Sequence, residues 1–200
     1  MAQSLEAAAA PSGLEGAVLP GPADEALMLQ YREGDVAAFE ILYRRYKGPL
    51  YRYLLHGCQN AAIAGELYQE TWVALIKSRA SYEPRAQFKT YLYRLAHSKL
   101  VDHLRKNDSR QAPLEEADEV AAPVAEQPEN AAVQAALGCR LQASLARLPP
   151  EQREAFLLKA EGGLTLEEIA AATDVGRETV KSRLRYALAK LREELSDVLP

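Results

Sequence analysis

The sequence predicts an all-α protein of two helical domains joined by a flexible acidic linker. Three observations predict it. No stretch of the 200 residues sustains the period-two alternation of a half-buried strand, whereas apolar residues recur at helical spacing along most of the chain. Residues 111–130 hold six acids (Glu115, Glu116, Asp118, Glu119, Glu126 and Glu129), three prolines and no base, a composition that cannot build a core. The flanks are basic: residues 79–110 carry eight bases against three acids, and residues 177–192 carry six against one. A net charge of −4 therefore conceals two basic patches separated by an acidic spacer.

In chain order, residues 1–23 are rich in Ala, Gly and Pro and contain no Lys or Arg, so they read as a disordered tail without the basic start of a secretory signal. The first domain is expected over 24–108. Phe39, Leu42, Tyr43, Tyr46, Leu50 and Tyr53 form one helical stripe, which Gly48-Pro49 is expected to kink or split. Leu67, Tyr68, Thr71, Trp72, Leu75 and Ile76 support a second helix, and Phe88, Leu92 and Leu95 a third. The linker occupies 109–131. The second domain, 132–200, is helical from Val133 to Leu148 and again from Pro150.

Inside that second domain, "GLTLEEIAAATDVGRETVKSR" reads as a helix, a tight turn and a second helix. Leu166, Ile169, Ala170 and Thr173 share one face, Thr165 can cap the first helix, and Glu168 completes a capping box. Asp174 tolerates the left-handed backbone of a sharp turn, and Gly176 relaxes the entry to the next helix. Val180, Leu184, Leu188, Leu191 and Leu195 form the core stripe of that helix. Its free side offers Glu178, Lys181, Ser182, Arg185 and Tyr186, side chains suited to base edges and phosphates in a major groove, and Arg177, Thr179 and Arg183 of the same helix complete the candidate DNA contacts. A plain helical hairpin with a solvated basic face has the same pattern, and a helix-turn-helix also serves protein contacts, but the motif favours DNA.

The stretch "SYEPRAQFKTYLYRLAHSKLVDHLRK" interleaves aromatics with bases. Arg94, Ser98, Val101 and Arg105 share a helix face, with Tyr82, Tyr91 and Tyr93 nearby. Bases that guide phosphates beside rings that stack on unpaired bases make a single-strand binding surface. Core tyrosines with solvated arginines would have the same composition, and both readings stay open at this point.

Other classes find little support. No apolar run approaches the roughly 18 residues of a membrane span, so insertion is not expected. Cys58 and Cys139 lack CxxC spacing and read as free thiols in a reducing cytoplasm. His97 and His103 lie on different helix faces, and HExxH, GxxxxGK[ST] and clustered metal-ligand spacings are missing. Neither catalysis, a metal nor a cofactor is expected. A two-domain regulator with a helical sensing domain would account for the C-terminal motif but not for the Tyr/Arg helix.

Four stretches in order carry a resemblance: "DEALMLQYREGDVAAFEILYRRYKGPLYRYL", "AGELYQETWVALI", "FKTYLYRLAHSKLVDHLRK" and "LPPEQREAFLLKAEGGLTLEEIAAATDVGRETVKSRL". Covering about residues 24–106 and 145–195, they resemble the bacterial RNA polymerase sigma factors of the small, two-domain extracytoplasmic-function group. The resemblance implies a non-enzymatic factor that binds core RNA polymerase and directs initiation at promoter DNA. It implies polymerase contacts at Glu66, Gln69, Glu70 and Trp72, although Trp72 equally suits the core. It implies capture of a melted start-proximal element by Tyr82, Lys89, Tyr91, Tyr93, Arg94, His97, Ser98 and Arg105. The helix from Arg177 would read an upstream duplex element. The linker would thread toward the RNA exit path, and an anti-sigma factor would mask the polymerase-facing surfaces. Tyr91 stands where the family often has Trp, Ser98 where it often has Asn, and Gly176 where Pro or Ser is common.

Overall fold

A computed structural model describes residues 21–108 and 138–196. The expected acidic linker and nearly all of the N-terminal tail lie outside the described residues, as do residues 132–137 and 197–200. The described residues are helical without strands. The first group comprises α1 (Asp24–Arg32), α2 (Val36–Cys58), α3 (Ala61–Ser78), a 3-10 turn (Arg79–Ser81) and α4 (Phe88–Asp108). The second comprises α5 (residues 138–146), α6 (Pro150–Ala160), α7 (Leu166–Thr173) and α8 (Arg177–Glu194).

Local chemistry sets the boundaries. Asp35 accepts from the Ala37 and Ala38 amides to start α2, and Asn60 accepts from the Ile63 amide to start α3. The first amide of α4, at Phe88, donates 2.6 Å to Glu25 Oε1 of α1, so one helix caps another 63 residues away. Asp24 beside it is held by Arg45 and Tyr46 of α2. Pro49 does not split α2, which runs unbroken through 23 residues. Leu50, Tyr53 and Leu54, each 0% exposed, anchor the half of the helix beyond it in the core.

The core stripes follow helical spacing with three corrections. In α3 Ile76 is 42% exposed while Ala64 is fully buried, because the stripe runs through positions 64, 67, 71 and 75. In α4 Tyr93, Ala96 and Leu100 join Phe88 and Leu92 in the core, and Leu95 is only partly buried. In α8 Leu188 is 39% exposed and Ala187 takes its place, giving a stripe at 180, 184, 187, 191 and 195. The two stripes share the same mean repeat, but at 3.6 residues per turn the second turn from Val180 falls nearer 187 than 188.

The two groups pack against each other, α4 on α7 and α2 on α6. Gly162 and Gly163 connect α6 to α7 at this junction. A side chain on Gly162 would stand 2.7 Å from the Leu158 carbonyl oxygen and 3.2 Å from the Tyr93 ring, and Gly163 has a φ of +59°. Gly162 therefore requires glycine, and the left-handed backbone at Gly163 favours it.

Candidate functional site

The C-terminal face is assembled by α7, a turn and α8. Thr165 Oγ1 accepts from the Glu168 amide at 3.2 Å, and Glu168 Oε2 accepts from the Thr165 amide at 2.7 Å, closing the capping box. Asp174 adopts the left-handed conformation at φ 55°. Gly176, by contrast, is the N-cap of α8 at φ −67°, a backbone that any residue adopts, so its freedom is not what turns the chain. On α8, Arg177, Glu178, Thr179, Lys181, Arg185 and Tyr186 are exposed, whereas Ser182 and Arg183 are half-buried. The Arg185 guanidinium lies 4.9 Å from the Tyr186 ring centroid, a stacked pair pointing into solvent.

Arg177 is engaged differently. Its Nε reaches Glu167 Oε1 of α7 at 2.5 Å and its Nη1 reaches Glu178 Oε1 at 3.1 Å, while Lys181 meets Glu178 at 3.3 Å. The Arg177 hydrogen bond holds the Glu167 carboxyl below its ordinary range. Arg177 thus positions α8 against α7, with Glu178 as a shared acceptor. Glu167 is absent from the sequence-based candidates, since an acid in a first helical turn is ordinary.

The residues expected at a melted strand divide into three sets. Tyr82, Tyr91 and Arg94 border a cleft of about 360 Å³ that Ser81, Glu83, Arg85, Ala86 and Thr90 also line, with Ala171 of α7 on its far side. Tyr82 is only 3% exposed, with its ring 5.2 Å from that of Tyr91, and burial pushes its hydroxyl up to about 12. Its face is therefore closed to a base, contrary to the reading of an open stacking platform. The Tyr91 ring is half-buried, its hydroxyl 2.5 Å from Ser78 Oγ.

Lys89, Tyr93 and His97 form the second set and turn toward the C-terminal helices. Tyr93 is 0% exposed, and its hydroxyl donates to the Glu161 carbonyl oxygen. It too is no stacking surface here, because α6 and the glycine junction lie over it. Ser98 and Arg105 form the third set and remain exposed on α4 with Arg94.

On α3, Glu66, Gln69 and Glu70 are exposed, and Glu70 meets Lys99 of α4 at 3.3 Å. They line an open cleft of about 680 Å³ with Val73, Ala74, Lys77, Lys99 and Lys106. Trp72 belongs to the core at 6% exposure, its ring within 5.1–6.1 Å of Tyr43, Phe39 and Tyr68. Val73, which the sequence pattern did not single out, and Ile76, which it placed in the core stripe, are both more than 40% exposed and give this face an apolar component. Among the described residues no cluster of His, Cys, Asp and Glu could hold a metal ion, and no helix is long and apolar enough to cross a membrane.

Comparison with known proteins agrees with this arrangement. The family model for Sigma-70 region 2 matches residues 42–110 and that for Sigma-70, region 4 matches 140–191. The RNA polymerase sigma factor CarQ of Myxococcus xanthus is 30% identical over 171 residues, covering 86% of this chain and 97% of CarQ. The ECF RNA polymerase sigma factor RpoE of Cereibacter sphaeroides is 33% identical over 180 residues, covering 86% of this chain and 94% of RpoE. CnrH, solved in complex with the cytosolic domain of CnrY, shares the fold with a TM-score of 0.65 at 23% identity, over 89% of this chain and 100% of CnrH. The sigma factor RpoE of Bartonella quintana, solved with the anti-sigma factor NepR, also gives 0.65, at 22% identity over 80% of this chain and 98% of RpoE. Two region models in order, and relatives matched over nearly their whole length, establish that the chain belongs to the ECF group of RNA polymerase sigma factors.

Proposed function

We propose how this sigma factor, which binds core RNA polymerase and directs transcription initiation at its promoters, divides that work among its surfaces. The exposed side of α8 reads an upstream duplex element. Lys181, Arg185 and Tyr186 are its foremost side chains, Ser182 and Arg183 lie at its edge, and Arg177, Glu178 and Thr179 set the helix start. The α4 face of Arg94, Ser98 and Arg105, with the cleft at Tyr91, captures the melted start-proximal strand. Tyr82 and Tyr93 shape that surface from beneath rather than stacking on bases. Lys89 and His97 join it when the C-terminal helices move aside. Glu66, Gln69 and Glu70, with Val73 and Ile76, dock on polymerase, and Trp72 holds α3 in place behind them.

The observation that carries this reading is the exposed Arg185–Tyr186 pair on a capped helix-turn-helix, separated from a second exposed basic helix face. Residues 24–108 and 132–200 act as two modules of one cytoplasmic factor, joined through the acidic segment 109–131. An anti-sigma factor restrains it by covering the polymerase-facing surfaces, a reading supported by the complexes in which CnrH and the Bartonella RpoE were solved. Run-off transcription with core polymerase over a promoter library is the test. Transcripts should start from a subset that shares both an upstream and a start-proximal element. Transcription independent of the upstream element would refute the role given to α8.

A further inference from the structure

The segment 82–87, between the 3-10 turn and α4, brings Tyr82, Glu83, Arg85 and Ala86 to the cleft at Tyr91 and Arg94. It lies outside the helices, and its residues 83–87 are exposed, with bends at Arg85 and Ala86. Inside it the Arg85 amide donates to the Glu83 carbonyl oxygen at 2.8 Å, and the two side chains pair at 2.6 Å. Its two ends are fastened from outside, and by the same helix. At the first end, Arg32 Nη1 of α1 donates to the Tyr82 carbonyl oxygen at 3.1 Å, while Arg32 Nε is held by Glu33 at 3.0 Å. At the second end, Glu25 Oε1 of α1 accepts from the Phe88 amide at 2.6 Å. Just before the first end, the Arg79 guanidinium lies 5.2 Å from the ring centroid of Tyr31, again on α1.

Glu25 and Arg32 stand two turns apart on one face of α1, about 10 Å of rise. That helix is itself fixed, with Leu27, Met28 and Tyr31 buried and contacts to α2, the 3-10 turn and α4. An exposed segment without anchors samples many backbone conformations. Selective contacts, by contrast, need their groups held to within about 0.5 Å. We propose that α1 sets the base preference of this cleft, with Glu25 and Arg32 as positioning residues that hold segment 82–87 in one shape and so present Glu83, Arg85 and Ala86 to the captured base. The proposal rests on the assignment of the cleft at Tyr91 to the melted start-proximal strand made above. Neither Glu25 nor Arg32 lines the cleft, so each acts through the segment. A charge-assisted acceptor at one end and a guanidinium donor at the other give each end a strong hydrogen bond.

Run-off transcription by the holoenzyme, comparing the preferred start-proximal element with its single-base variants, tests this. Glu25→Ala and Arg32→Ala should each shrink that preference by about fivefold or more, the discrimination carried by one well-read base. Polymerase pull-down and upstream-element preference should stay as in the parent. The two substitutions change the net charge in opposite directions, so a shared effect cannot come from overall charge. Glu25→Gln keeps a carbonyl oxygen for the Phe88 amide and should keep the preference. Hydrogen exchange across residues 82–88 should quicken in both alanine variants. Circular dichroism checks folding, and Arg32→Ala reads the same quantities if Glu25→Ala does not fold. An equal loss on every element overturns the positioning role, and so does an unchanged preference in the folded variants. Tyr91→Ala tests the cleft separately. Preference lost there but kept in both alanine variants defeats the role of α1 alone, whereas preference kept in all three defeats the cleft assignment beneath it.

Discussion

Arg185 is the side chain on which the proposed reading of the upstream element can be tested most directly. It is exposed and lies over Tyr186 rather than against an acid, which leaves its guanidinium fork accessible to a base edge. A good bidentate contact of that kind discriminates by about 1–3 kcal/mol. Arg185→Ala should therefore change which upstream sequences support run-off transcription, whereas an equal loss on every sequence would make Arg185 a phosphate contact. Arg177 differs, being spent on Glu167 and Glu178. Glu70 makes the corresponding case on α3. It is 57% exposed and pairs with Lys99 at the surface, so Glu70→Lys should leave the circular dichroism spectrum intact while abolishing polymerase pull-down and transcription. Retained binding by the folded variant would remove Glu70 from the docking surface.

At the scale of the element, α7 and α8 separate what a local rule predicts from what packing decides. The capping box at Thr165 and Glu168 and the left-handed Asp174 were legible because each involves atoms within a few residues. Thr165→Ala should lower stability by about 0.5–2 kcal/mol, read from chemical denaturation. Glu168 adds a pH dependence. Burial pushes its carboxyl up, but hydrogen bonds from the Thr165 amide and Lys89 outweigh this and leave it below the ordinary 4.5. The stability it contributes is thus present above that value and lost as the pH falls through the lowered one. Melting curves of Glu168→Gln should show a smaller acid-side loss than the parent. The α8 stripe was legible only in part, since 187 and 188 both fit an approximate helical repeat. Ala187 is fully buried, so Ala187→Leu should cost about 1–3 kcal/mol, while Leu188→Ala should stay within about 0.5 kcal/mol. The continuity of α2 through Pro49 and the burial of Tyr82 and Tyr93 were not legible. They depend on partners far along the chain, such as Arg32 donating to the Tyr82 carbonyl and Glu161 receiving Tyr93.

For the whole molecule, the burial of those tyrosines sharpens the energetics of promoter opening. Duplex stacking is worth roughly 1.4 kcal/mol per step, so melting about ten steps costs on the order of 14 kcal/mol. Stacking on an aromatic side chain returns only about 1–3 kcal/mol per base. Of the three tyrosines that composition placed near the strand, only Tyr91 has a partly open ring, so the return from stacking falls to that of about one base. On the proposed strand assignment, Lys89 and His97 would first have to leave Glu168 and Glu154, which would subtract from what their phosphate contacts supply. The sequence contains no phosphate-binding loop to couple strand opening to nucleotide hydrolysis. On the proposed assignment the deficit falls to polymerase, through its own contacts with the opened strands. A fluorescent base analogue in the start-proximal element should brighten only when core polymerase and this chain are both present. Brightening by the chain alone on linear duplex would mean that it opens DNA with its own binding energy, and this account of its mechanism would fall.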